Sequence, residues 1–131
     1  FPGVPRPPSQ RGERWRFAPE KSASRGIVAS PAVAPEALYY GDTAGYVYAR
    51  EVSTREELWR FRAEDGIVSS PVILGGRLYL GAEDGGFYAL DRSNGKLLWR
   101  LSLGAPIEVS PVFAQGRFYV RTSDGRLHAI E

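Results

Sequence analysis

The amino-acid sequence predicts an all-β fold built from short antiparallel strands, and three observations support that prediction. Fifteen Gly and ten Pro residues among 131 favour frequent tight turns over long helices. The same residue types recur at intervals of 40 residues along most of the chain. Each interval contains four short apolar runs separated by turn residues, a pattern typical of the four-stranded blades of a β-propeller.

The 40-residue repeat is carried by several kinds of residue that keep one period. The markers are Ser-Pro pairs, glycines, alanines and tryptophans: Ser30-Pro31, Ser70-Pro71 and Ser110-Pro111; Gly45, Gly85 and Gly125; Ala49, Ala89 and Ala129; Trp15, Trp59 and Trp99. The interval between the first two tryptophans is 44 residues instead of 40. Four residues are therefore inserted before the first full repeat, within Ala18–Gly26.

The second repeat shows the four predicted strands, named A to D, in chain order. They cover 67–73, 78–81, 87–91 and 97–101. Strand A is mostly apolar, as expected for a strand buried on both faces, and a tight turn over 74–77 leads to strand B. Asp84-Gly85 and Asn94-Gly95 then form two hairpin turns, in which glycine supplies the positive φ that such turns need.

The order of the predicted strands divides one blade between the two ends of the chain. Residues 14–17 align with 58–61, a strand D, so the chain starts on a strand D and ends after a strand C. The sequence therefore predicts three four-stranded antiparallel blades over residues 13–131, one of them split between N- and C-terminal strands. Residues 1–12 form a Pro-rich extended arm or linker ahead of these blades.

Three blades are too few to close a ring, because propellers have about 4–8. Two alternatives follow. Either the chain is part of a longer propeller of roughly 240–320 residues, or copies assemble so that each N-terminal strand completes the last blade of another copy. An apolar strand left unpaired at a sheet edge favours a partner in both cases. The lack of any Met indicates a processed chain or a piece of a longer one.

The composition excludes several kinds of functional site. The chain has no Cys, which excludes disulfides, thiolate metal sites and thiol catalysis, and its single histidine, His128, excludes a His-rich metal cluster. A net charge of +2 does not indicate a nucleic-acid partner. No apolar run approaches the roughly 20 residues of a membrane span. No catalytic triad or phosphate-binding loop is recognisable, so we expect no catalytic, cofactor-binding or metal-binding residue.

One stretch of the second repeat carries a recognisable signature. The segment from Ala89 to Trp99 reads Ala-Leu-Asp-Arg-Ser-Asn-Gly-Lys-Leu-Leu-Trp. It resembles the blade-docking signature Ala-x-Asp-x-x-Thr-Gly-x-x-x-Trp of the PQQ-type (quinoprotein-like) β-propeller repeat. The first copy has Arg55 in place of the glycine, and the third keeps Ala129 and Glu131. The resemblance covers residues 13–131 and implies that the blades dock through these positions: Trp15, Trp59, Trp99, Ala49, Ala89, Ala129, Asp91 and Gly95.

The signature has a physical rationale. A Trp late in strand D can pack flat on the next blade and bury a large apolar area. A small Ala opposite it allows the blades to approach closely. The acidic residue two positions after the Ala can accept hydrogen bonds from the turn of the next blade.

Candidate partner contacts lie in the arm, in the insertion and in the acidic turns of one face. They are Phe1, Val4, Lys21, Arg25, Asp65, Glu83 and Asp84. The arm is either a flexible tail or docks on a neighbour through its apolar residues. The acidic turns have two interpretations. They form a surface for face-to-face stacking of propellers or for a cationic ligand, or they contain Asp only because Asp-Gly turns require it for their geometry.

These features favour a non-enzymatic scaffold over an enzyme. We expect a protein partner, either a second copy in a homo-oligomer or a completing chain, with no cofactor, no nucleic acid and no membrane span. The resemblance to propellers of outer-membrane assembly complexes and sensors implies an extracytoplasmic location, periplasmic or at the cell surface. The alternatives are a fragment of a PQQ-dependent dehydrogenase and an extracytoplasmic ligand-sensing propeller.

Overall fold

The computed structural model describes residues 26, 27 and 29–131, and the regular structure in that part of the chain is all β. Eleven strands form three antiparallel sheets of four, four and three strands. The strands are β1 (Ala32–Val33), β2 (Ala37–Gly41), β3 (Tyr46–Glu51), β4 (Glu57–Arg62), β5 (Val72–Leu74), β6 (Arg77–Gly81), β7 (Gly86–Asp91), β8 (Leu97–Ser102), β9 (Val112–Ala114), β10 (Arg117–Arg121) and β11 (Leu127–Ile130).

Each sheet is a meander in which neighbours in sequence are neighbours in space. The orders are β1-β2-β3-β4, β5-β6-β7-β8 and, in the third sheet, β9-β10-β11. This confirms the predicted all-β fold with four-stranded antiparallel blades, and we call the sheets blades 1, 2 and 3. The predicted arm over 1–12, the predicted strand at 14–17 and residues 18–25 of the insertion lie outside the described residues.

Strand A is shorter than the sequence indicated. The prediction of a strand over 67–73 was wrong for its first part, because β5 begins only at Val72. The preceding residues bond outside a ladder: the Ile67 N–H donates to the carbonyl of Asp42 at 2.8 Å, and the Ser69 hydroxyl donates to the carbonyl of Gly81 at 3.0 Å. Pro71 has no N–H to donate, so a continuous ladder cannot form through it.

The blades pack face to face through two continuous apolar clusters. In the first, Tyr39 and Val47 of blade 1 meet Leu78, Leu80 and Leu90 of blade 2. The second joins blade 2 to blade 3 in the same way: Tyr79, Phe87 and Ala89 meet Phe118 and Val120. The core therefore lies between the sheets, and each blade needs a neighbour to bury its faces.

Two glycines allow the closest approach between blades. A Cβ on Gly41 would lie 2.5 Å from Cβ of Ile67, and one on Gly81 would lie 2.7 Å from Cβ of Ile107. Both distances are too short for real carbon atoms, so only glycine fits beneath each isoleucine. The Ile67 and Ile107 N–H groups also donate to the preceding blade, at 2.8 and 3.0 Å. The same isoleucine–glycine contact, which we call the joint, thus connects blade 1 to blade 2 and blade 2 to blade 3.

Candidate interaction surface

Trp59 locks blade 1 onto blade 2. Its ring is 8% exposed and lies over Gly95, where an added Cβ would come within 2.5 Å of Trp59 Cδ2. Its indole N–H donates to the carbonyl of Arg92 at 2.8 Å. Ala49, directly opposite in β3, is fully buried. The Trp59 ring therefore packs on a turn that has no side chain at Gly95, and its indole N–H is hydrogen-bonded.

Asp91 acts on its own turn rather than on the next blade. Its Oδ1 accepts the Ser93 N–H at 2.9 Å and the Ser93 hydroxyl at 2.7 Å. These bonds lower the pKa of Asp91 below its ordinary value. The acidic residue was predicted to accept hydrogen bonds from the neighbouring blade. In the structure Asp91 instead accepts them from Ser93, within the turn that Trp59 packs on.

Trp99 repeats the position of Trp59 on blade 2, but its surroundings differ. It lies opposite Ala89 and packs against Tyr79 and Phe87, with ring centroids 6.0 and 5.7 Å apart. It is only half-buried, and the described residues include no following turn that covers it. Neighbouring leucines of β8 are exposed as well: Leu97, Leu98 and Leu101.

None of the described residues covers the face of blade 3 that points away from blade 2. We call it the terminal face; the strand registers place on it Val112, Ala114, Arg117, Tyr119, Arg121, Leu127 and Ala129. Leu127 is 69% exposed, whereas Val47 and Phe87 at the same position of the other repeats are 0% exposed. In blades 1 and 2, the surface equivalent to the terminal face is covered by the next blade.

The edge of blade 3 has no partner among the described residues. In blades 1 and 2 the third strand pairs on both sides, with β2 and β4 or with β6 and β8. Within the described chain, β11 pairs only with β10, from Arg121↔Leu127 to Phe118↔Ile130. The described residues thus leave the N–H and carbonyl groups of its second side available beside an apolar face, which is the arrangement that accepts an added strand.

Arg121 departs from the joint used elsewhere. It occupies the position of Gly41 and Gly81, which receive Ile67 and Ile107. An arginine side chain cannot fit beneath an isoleucine in that geometry. A blade that joins the terminal face must therefore offer a smaller residue there, or displace the Arg121 side chain.

A second departure lies at the start of the array. Arg55 stands where Gly95 receives Trp59, and it keeps the same backbone conformation with a φ of 66° against 75°. Its N–H also donates to Glu51 as the Gly95 N–H does to Asp91, at 2.7 Å in both turns. A tryptophan placed on this turn as Trp59 is placed on Gly95 would overlap the Arg55 side chain.

Aspartates of the acidic turns accept hydrogen bonds from groups of their own blade. Asp42 is fully buried and accepts the Tyr48 hydroxyl at 3.0 Å. Asp84 accepts the Tyr88 hydroxyl and the Gly86 N–H and lies 3.6 Å from the Arg100 guanidinium. Burial, together with the adjacent carboxylate, raises the pKa of both tyrosines. These contacts support the turn-geometry interpretation for Asp84.

Two of the remaining predicted contact residues, Asp65 and Glu83, both lie beside Gly66. Asp65 is exposed and accepts the Gly66 N–H through its side chain, while Glu83 is half-buried near Gly66. Five predicted site residues lie outside the described residues: Phe1, Val4, Trp15, Lys21 and Arg25. Within the described ranges, no group of three or more His, Asp or Glu side chains is arranged to hold a metal ion.

Sequence reasoning missed the isoleucine–glycine joint and its failure at Arg121. The signal was present, because Ile67 and Ile107 are 40 residues apart, as are Gly41 and Gly81. What the sequence did not reveal is that each isoleucine touches the glycine of the preceding repeat. That contact depends on how the sheets stack rather than on the repeat itself.

Comparison with known proteins places these features in a family. A family model described as outer membrane protein assembly factor BamB matches residues 8–131. No curated protein matches the chain in sequence. Among residues 26, 27 and 29–131, no helix is long and apolar enough to cross a membrane.

Solved structures share the fold at low sequence identity. BamB from Moraxella catarrhalis is 18% identical with a TM-score of 0.73, over 83% of this chain and 35% of that one. The computationally designed Ika4 protein is 18% identical with a TM-score of 0.68, over 76% and 62%. Quinohemoprotein alcohol dehydrogenase from Comamonas testosteroni is 24% identical with a TM-score of 0.66, over 73% and 17%. The chain thus spans about a third of the length of the BamB structure it resembles.

Proposed function

Because the chain belongs to the PQQ-type propeller-repeat family described as outer membrane protein assembly factor BamB, we propose that it is a non-enzymatic propeller module that binds protein. The observation that carries this proposal is the terminal face. Leu127 is 69% exposed there, although the equivalent residues of blades 1 and 2 are fully buried. A surface built to be covered, beside a strand edge with free backbone groups, supports a protein partner.

The partner supplies two things. A fourth strand pairs with β11 and satisfies its free N–H and carbonyl groups, and a following blade covers Val112 and Tyr119. Either a second copy of this chain or a longer chain of the same kind can provide both. In the first case the predicted strand at 14–17 of one copy completes blade 3 of another, and two copies close a ring.

The same reasoning favours a scaffold over an enzyme. Buried polar side chains of the described blades, such as Asp42 and Ser69, are engaged in turns and joints. The family description, an outer membrane protein assembly factor, supports an extracytoplasmic location. We therefore propose that the module acts in the periplasm or at the cell surface.

Light scattering tests the assembly directly. We expect a mass about twice the 14.5 kDa of one chain, and a monomer after deletion of residues 1–17. A synthetic peptide of residues 10–20 should bind the deleted chain and compete for the same edge. A folded monomer that neither responds to the deletion nor binds the peptide would contradict the proposal.

A titration separates the scaffold from a fragment of a quinoprotein dehydrogenase. PQQ is added to the chain with and without Ca²⁺, and binding is followed by the absorbance of the quinone. We expect no saturable binding in either condition. Saturable, Ca²⁺-dependent binding of PQQ would instead support the enzyme.

A further inference from the structure

A cavity lies between blades 1 and 2, on the face opposite the acidic turns. Its volume is about 520 Å³, within the range of small-ligand pockets. Six of its lining residues matter here: Glu36, Ala37, Tyr39, Leu58, Asp91 and Arg92. The cavity is separate from the terminal face, so the following inference does not rest on the proposed function.

Tyr39 supplies a polar group to the lining of the cavity. Its side chain is 2% exposed, and its hydroxyl makes no hydrogen bond within residues 26, 27 and 29–131. No fully buried side-chain N or O atom in that part of the chain lacks a hydrogen bond, so solvent must reach this hydroxyl from the cavity. A ligand group can therefore replace water at the hydroxyl. Tyr48 and Tyr88, by contrast, each donate to an aspartate.

At this joint the first repeat departs from the others in sequence. Its turn carries Glu36-Ala37, whereas the second and third repeats carry Gly-Arg at the same positions, 76–77 and 116–117. A methyl group thus stands where the other repeats have a long side chain. A carboxylate is introduced at the rim in exchange, and Glu36 lies 3.4 Å from the Arg92 guanidinium of the next blade.

The lining groups define the ligand. Glu36 and Asp91 bring carboxylates, Arg92 brings a guanidinium, and the Tyr39 hydroxyl can donate or accept. A strong anion is opposed by the two carboxylates, and a cation is opposed by Arg92. A neutral ligand whose groups both donate and accept suits all four, while Leu58 and the Tyr39 ring offer apolar walls to C–H groups.

We propose that this cavity binds a neutral saccharide, whose hydroxyls donate to Glu36 and Asp91 and accept from Arg92 and Tyr39. One or two sugar rings have the mixed polar and apolar surface that the lining presents. On binding, a sugar hydroxyl replaces water at the Tyr39 hydroxyl.

Binding of maltose and cellobiose to the whole chain tests this inference, by saturation-transfer NMR and calorimetry. We expect saturable binding of at least one disaccharide. Tyr39→Phe should weaken it about three- to tenfold, the value of one neutral hydrogen bond. Ala37→Arg, which restores the residue of the other repeats, should weaken it at least tenfold by filling the cavity.

Two controls keep the test decisive. Tyr79→Phe changes the equivalent tyrosine of blade 2, where Arg77 replaces the alanine, and should leave binding unchanged. Tyr39→Phe should melt at about the same temperature as the parent chain, because the hydroxyl makes no hydrogen bond within the described residues. The inference is overturned if neither disaccharide binds the parent chain, or if Ala37→Arg binds as tightly as the parent. Saturable binding of inorganic phosphate without either disaccharide would overturn it as well.

Discussion

Gly95 shows how one missing Cβ decides the contact between two blades. Its φ of 75° already favours glycine, and the Trp59 ring occupies the space where a side chain would begin. Gly75 has a similar φ of 61°, yet nothing lies within 4 Å of its Cβ position. The two glycines therefore separate backbone strain from steric exclusion.

Gly95→Ala should destabilise the chain by about 2–4 kcal/mol, because it adds a clash with Trp59 to the left-handed strain. Gly75→Ala should cost only about 1–2 kcal/mol, the strain alone. Urea unfolding followed by tryptophan emission measures both. Equal losses in the two variants would show that Trp59 moves aside at no cost.

The tyrosines of blades 1 and 2 make the stability depend on alkaline pH. Burial raises the pKa of Tyr40, Tyr48 and Tyr88 in the folded chain. Near and above pH 10 these groups therefore ionise more readily in the unfolded chain than in the folded one. The full stability is thus present below pH 10 and is lost as the pH rises further.

We expect the free energy of unfolding to fall as the pH rises above 10, with Tyr48 contributing up to about 1.4 kcal/mol per pH unit. Unfolding in urea at pH 9, 10 and 11 tests this expectation. Tyr48→Phe should make the decline shallower, although it also removes the bond to Asp42 and lowers stability at neutral pH. A stability that stays constant from pH 9 to 11 would contradict it.

At the scale of the strand, the sequence predicted the hairpins well and strand A poorly. Asp84-Gly85 and Asn94-Gly95 fix their turns locally, so β6, β7 and β8 begin and end within one residue of the prediction. Residues 67–71 are apolar for another reason. Ile67 packs on the neighbouring blade, and a pattern of apolar residues does not reveal whether they lie in a ladder or in a joint.

The open strand β11 leads to a test with a matched control. Leu127→Lys should weaken self-association by roughly tenfold, or about 1.4 kcal/mol, because it places a charge on a surface that a partner covers. The stability of the folded chain should change by less than about 0.5 kcal/mol, as Leu127 is already exposed. Analytical ultracentrifugation measures the association.

Leu98→Lys is the control for that change. Leu98 is 45% exposed, but it lies in β8 of blade 2, which already packs between blades 1 and 3. It should leave the association constant unaltered. If both lysine variants weakened association equally, the contact would not be specific to blade 3.

For the whole molecule, the joints between blades decide how many more blades can be added. Two joints share the isoleucine-on-glycine contact, and the third position holds Arg121. The repeat period predicts that blades follow one another. The repeat period does not predict at which blade the isoleucine–glycine contact is lost, because that contact joins residues of different blades.

Ile27 lies 40 residues before Ile67, at the same position of the repeat. Arg121→Gly should therefore strengthen association between copies by tenfold or more, since Ile27 of one copy can then pack on blade 3 of another. The measurement is the dimer dissociation constant by sedimentation. Arg121→Lys retains a long cation and should behave as the parent chain. An unchanged constant in the glycine variant would mean that the partner brings no isoleucine to this position.

The candidate site was only partly predictable. The repeat indicated that a fourth strand is absent after 127–130, and hence that the edge of blade 3 is open in the described chain. The cavity over Tyr39 could not be foreseen, although Ala37 visibly replaces the arginine of the other repeats. Whether a small residue opens a space depends on what the next blade places above it.

The twice-used joint has a mechanical consequence. Blade 2 is held on both faces, whereas blade 3 is held on one face and lacks a described fourth strand. In such a linear stack each unit gains stability mainly from its nearest neighbours. A pulling force on the C-terminus should then detach β11 and the rest of blade 3 first, while blades 1 and 2 stay packed together through Trp59.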